Sequence, residues 1–96
     1  LRDPLVEYAI LEYKLKNYKH VIKLCNQAID IQINNRTYIN EPFTFDETVY
    51  DLLSIAYFYD KKYDLALFYI NKAISINPSN KRLLNNKKII SNYVIY

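Results

Sequence analysis

Four side chains in this sequence are of types that do chemistry: His20, Cys25, Glu47 and Asp51. A cysteine works as a nucleophile only as its thiolate, with a base held beside it. Nothing near Cys25 supplies one, and His20, the only histidine, is expected at the exposed start of a helix. Glu47 and Asp51 stand four apart, so they share one helical face and could in principle hold a metal. The simpler account is that both sit in the first turns of a helix, where the dipole favours acids. A single cysteine allows no intrachain disulfide, and one Cys with one His falls short of a metal ligand set. Glycine is absent from the whole chain, so no glycine-rich phosphate loop exists. The expectation is therefore a chain with no catalytic residue, no metal and no cofactor.

The elements that would have to position any site follow from composition and period. Ninety-six residues, 51% hydrophobic and 24% charged, make one small globular domain. Without glycine, tight hairpins and sandwiches are disfavoured, since their turns need positive φ. An all-helical chain can instead let Asn, Asp and Lys carry its turns. Tyr, Ile, Asn and Lys make up 45 residues, a bias that an AT-rich coding sequence produces and that discounts individual lysines and asparagines. The net charge is +3, but Lys81, Arg82, Lys87 and Lys88 give residues 79–96 a local +4, leaving −1 for the rest. A solvated helix face accounts for that run more simply than a nucleic-acid contact, so nucleic acid is not the expected partner. No apolar run approaches the roughly 20 residues of a membrane span, and no signal peptide is visible, which fits a cytoplasmic protein. The chain opens at Leu1 rather than Met, which fits a piece of a longer protein.

Five helices are expected from the 3.6-residue period. The first covers about Pro4 to Lys14, the second Tyr18 to Ile31 and the third Asp46 to Tyr59. The fourth covers about Tyr63 to Ile76, and the fifth follows Asn80 as its cap and reaches about Val94. Thr44 with Glu47 has the pattern of a capping box, with Asp46 the competing cap. Residues 33–45 form the one substantial irregular piece.

The chain also repeats itself. An offset of 45 places Tyr18 on Tyr63, Val21 on Ala66, Cys25 on Ile70, Ala28 on Ala73 and Ile29 on Ile74. Upstream it places Leu5 on Tyr50, Tyr8 on Leu53 and Ala9 on Ser54. Ala66 and Ala73, two turns apart on one face, let another helix approach closely, and Pro78 then stops the helix. The unit with Tyr50, Leu53, Ser54 and Tyr57, then Ala66, Ile70, Ala73 and Pro78, resembles the tetratricopeptide repeat. The first unit resembles it less, with Glu12 for Tyr57, Val21 for Ala66 and Ile33 for Pro78. The resemblance implies an all-α superhelix: a helix-turn-helix unit at about 4–32, an insert loop at 33–45, a second unit at 46–78, and a capping helix at 80–94. Leu84 and Ile89 are expected to cover the last unit, with Lys81, Asn85 and Lys88 in water.

The resemblance further implies a non-catalytic module for protein interaction or assembly, whose first helices line a concave face. The groove candidates are Val6, Ile10 and Tyr13, then Asp51, Ile55, Phe58 and Tyr59, then Leu83 and Ile90. Such a groove is apolar and aromatic. Family members that capture a C-terminal carboxylate carry Lys, Asn and Arg at several of these places, where this chain has Val6 and Ile10. The expected occupant is therefore the chain's own insert loop, an apolar peptide or helix of a partner, or a second copy forming a homodimer through the groove.

A tetratricopeptide unit runs about 34 residues, so an offset of 45 leaves eleven extra, within NNRTYINEPFTF. Arg36, Tyr38, Phe43 and Phe45 there are expected to fill the gap between units or to shape the binding face. The run from Arg36 through Glu41-Pro42-Phe43 to Tyr50–Ser54, with the tail at 77–89, is also similar to helical regions following the catalytic domain of some family 2 glycosyltransferases. That likeness implies a C-terminal domain whose enzyme lies upstream; the alternative is a stand-alone adaptor.

Overall fold

The computed structural model describes residues 4–35 and 46–94, and among them all regular structure is helical. The helices are α1 (Pro4–Lys14), α2 (Tyr18–Asn35), α3 (Glu47–Tyr59), α4 (Tyr63–Ile76) and α5 (Lys81–Ser91). Each packs on the next in sequence, and α1 also touches α3. This is the layout of stacked helical hairpins, in which α1, α3 and α5 are the successive first helices. The expected all-α, tetratricopeptide-like fold is what forms.

Local chemistry explains most of the ends. Asp46 caps α3, accepting from the Thr48 N–H at 2.9 Å, and Asn80 caps α5, accepting from Arg82 N–H at 3.0 Å. Each such cap stabilises by about 1 kcal/mol. Both α1 and α3 end in the same way, with a lysine at φ 62° (Lys16, Lys61) where many proteins place glycine. The Lys16 N–H bonds to Tyr13 O and the Asn17 N–H to Glu12 O; Lys61 and Lys62 repeat this onto Phe58 and Tyr57. These paired bonds close the last turn of each helix, and their recurrence marks two copies of one unit.

Two helix ends differ from expectation. α2 continues to Asn35 rather than stopping at Ile31, since no Gly or Pro interrupts it and asparagine is tolerated in a last turn. α5 ends at Ser91 rather than Val94, where Asn92, Tyr93 and Val94 donate to carbonyls three residues back.

The core follows the repeat. Ala9 and Ser54, Val21 and Ala66, Cys25 and Ile70, and Ala28 and Ala73 are all fully buried. At each alanine the missing side chain lets neighbouring backbones close, while Ile70 and Leu53 fill the space, each contributing about 1.5–3 kcal/mol by burial. Tyr8 breaks the pairing: it packs edge-on against His20 and stays half in water, unlike Leu53. Burial pushes the Cys25 thiol up to about 12. Alkylation of Cys25 at pH 8 is accordingly expected only after unfolding, and thiol labelling against denaturant checks this.

The last helix corrects the expected phase. Leu83 and Ile90 are buried at 0% and 3% exposure, whereas Leu84 and Ile89, expected to cover the last unit, are 42% and 44% exposed. The adjacent pairs Leu83-Leu84 and Ile89-Ile90 leave the face ambiguous by composition. Leu83 and Ile90 are seven apart, so they alone share a stripe toward α4.

Candidate functional site

The face bounded by α1, α3 and α5 holds a groove of about 340 Å³. Tyr13 lines it from α1, Ile55, Phe58 and Tyr59 from α3, and Arg82, Asn86, Ile89 and Ile90 from α5. Five of the expected groove residues therefore border one cavity: Tyr13, Ile55, Phe58, Tyr59 and Ile90. Val6 and Leu83 do not; both are sealed in the core, and Ile10 packs partly buried against it. Arg36, Tyr38, Phe43 and Phe45 lie outside the described residues.

Aromatic contacts set the groove wall. Phe58 meets Tyr63 at 5.6 Å and Tyr93 at 5.0 Å between ring centroids, both edge-to-face. Tyr59 stacks on Tyr18 at 4.5 Å, and Tyr13 meets Tyr18 edge-on. Rings held on several sides lose little freedom when a ligand arrives. Behind them Tyr57 accepts a hydrogen bond from Asn26 Nδ2 at 3.2 Å, tying α3 to α2.

Asp51 is not an open groove residue. It is buried, and its Oδ2 accepts a charge-assisted hydrogen bond from Arg82 Nη2, which couples α3 to α5. The Ser54 hydroxyl donates to the Asp51 carbonyl at 2.7 Å. Asp51 Oδ1 is buried with no hydrogen-bond partner. The bond to Asp51, with the charges of Asp51, Tyr13 and Glu47 adding, raises the Arg82 pKa above its ordinary value. Arg82 thus brings a permanent positive charge to an otherwise apolar wall, its side chain still 55% exposed.

The other chemistry-bearing residues are used structurally. Glu47 Oε1 accepts from Asn77 Nδ2 at 3.5 Å, so the Glu47–Asp51 pair is divided between two different partners. Among the described residues no group of three His, Cys, Asp or Glu side chains is placed to hold a metal. His20 is half-buried rather than exposed, 3.3 Å from the Glu12 carboxylate through Nδ1. Glu12, standing where the second unit has Tyr57, accepts from Asn17 Nδ2 at 2.7 Å. The Asn17 bond first, and then His20, lower the Glu12 pKa against the opposing effect of burial.

Arg82, Asn86 and Ile89 were not expected in the groove. Their signal was available in the spacing: Arg82 and Ile89 are seven apart and Asn86 four from Arg82, one face once Asn80 fixes the helix start.

The comparison that bears on this arrangement is with repeat families. Residues 48–80 match the tetratricopeptide repeat. The span runs from the start of α3 to the cap of α5, one whole unit, and the tetratricopeptide-like character of α1–α2 rests on the shared turns and burial described above. No curated protein and no solved structure matches the chain. Tetratricopeptide units are protein-interaction elements, and that is the function class to which the match points. Among the described residues no helix is long and apolar enough to cross a membrane.

Proposed function

We propose that this chain is a non-catalytic tetratricopeptide-like module that holds an apolar segment of a protein partner in the groove between α1, α3 and α5. The observation that carries this reading is the cavity itself, with Tyr13, Phe58 and Tyr59 braced by other rings, Ile55 lining it beside them and Ile89 left open. Rigid aromatic walls around a concave space are what short apolar anchors fill. Arg82 and Asn86 at the same wall supply donors for a peptide backbone or a polar side chain.

Ile89→Glu is the clean perturbation, because this side chain is exposed and contributes little to the core. Peptides selected from a random display library on the native protein should lose at least about tenfold in affinity on Ile89→Glu, with far-UV helicity unchanged. A selection that yields no binder, or binders indifferent to Ile89→Glu, removes the groove as the site.

The second reading, the non-catalytic end of a glycosyltransferase, has the sequence resemblance alone for support. Much of that resemblance falls at Arg36 and Glu41–Phe43, outside the described residues.

A further inference from the structure

The three first helices present equivalent positions to three different neighbours. At an offset of 34, Val49 and Ala56 of α3 correspond to Leu83 and Ile90 of α5. All four are buried, and α3 packs on α2 as α5 does on α4, so this face of a first helix is one that a core covers. At the offset of 45, Ala56 corresponds to Leu11 of α1. Here the face is apolar and open: Leu11 is 58% exposed, Leu15 68% and Tyr8 45%. The Leu15 N–H still bonds to Leu11 O, so the three side chains form one continuous stripe. It lies on the opposite side of α1 from Tyr13 and the groove.

We infer that this stripe is a contact between two copies of the chain, α1 packing antiparallel on the second copy's α1 about a two-fold axis near Leu11. The stripe is self-complementary in that arrangement. Tyr8 of one copy meets Leu15 of the other, and Leu11 lies beside its own equivalent. Charges agree as well: Glu7 of each copy arrives near Lys14 of the other, at the end of α1, and near its Lys16, in the turn after it. In a second copy α2 already packs between α1 and α3, and α4 between α3 and α5. One helix pair is smaller than a standard interface, so the dissociation constant is expected in the tens of micromolar.

Sedimentation equilibrium across that concentration range tests it. The native chain should form dimers; Leu11→Glu should weaken them more than about tenfold with helicity and unfolding midpoint unchanged, and Ile89→Glu should leave them intact. Leu15→Glu serves as the second variant if Leu11→Glu folds poorly. Glu7→Lys alone and the double variant Lys14→Glu/Lys16→Glu alone should each be weakened, while an equimolar mixture of the two regains dimers through matched charges. A native chain that stays monomeric overturns the inference. So does a dimer that survives both Leu11→Glu and Leu15→Glu, or one broken by Ile89→Glu alone, which puts the contact in the groove. None of these outcomes bears on peptide binding at the groove, which Ile89→Glu reports separately.

Discussion

Truncating Leu83 to alanine is expected to destabilise the fold by about 3 kcal/mol, while the same change at its neighbour Leu84 should stay below about 1 kcal/mol. The two residues are chemically identical and adjacent, yet Leu83 is fully buried against α4 and Leu84 is 42% exposed. Removing Leu83 leaves a void between α4 and α5 and deletes one of the contacts that hold the last helix on the stack. A domain of this size has about 5–14 kcal/mol of stability in all, so the loss is a large share. Urea unfolding followed by circular dichroism measures both variants. Equal effects at the two positions would show that α5 sits in another rotational phase, and the groove described here would lose its third wall.

The Asp51–Arg82 pair gives the second large effect. Replacing Arg82 by leucine leaves the Asp51 carboxylate buried without its countercharge, with Oδ1 already lacking a hydrogen bond. Breaking one side of a fully buried pair costs about 3–5 kcal/mol. More than half of the Arg82 side chain is in water, which screens the pair, so about 1–2 kcal/mol is expected. The double variant Asp51→Leu/Arg82→Leu should recover at least half of that loss, since no charge is then stranded. A double-mutant cycle by chemical denaturation reads the coupling directly. Additive losses, with no recovery in the double variant, would mean that the pair does not tie α5 to α3.

Much of the fold was legible before any coordinates. Helix spacing, the Asn80 cap and the Pro78 stop are local chemistry, and four of the five helix starts coincide with those expected, Asp46 proving to be the cap of α3. The alanine positions carried the packing, because a residue without a side chain beyond Cβ is informative wherever helices approach. The lysines at φ 62° show how a chain without glycine turns its hairpins, and composition alone pointed to Lys, Asn or Asp for that task.

The groove was legible in part, and the failures in α5 have one cause. Tyr13, Ile55, Phe58, Tyr59 and Ile90 were reachable from the repeat, yet Val6 and Leu83 were misplaced and Arg82, Asn86 and Ile89 missed. In α5 two apolar pairs straddle the boundary between core and surface, and a one-residue error there rotates the helix by 100°. Asp51 was misjudged for a related reason: an acid reads as exposed until the partner that buries it is known, here Arg82.

The sequence by itself determined five helices and their pairing into two like units with a fifth helix behind them. These follow from interactions among neighbours a few positions apart, which the order of residues fixes. Only the tertiary structure decided which side of α5 meets α4, which carboxylates are enclosed, and that α1 keeps an open apolar back while its counterparts are covered. Those depend on contacts between residues tens of positions apart, where small rotations of a helix exchange core for surface at little change in local energy.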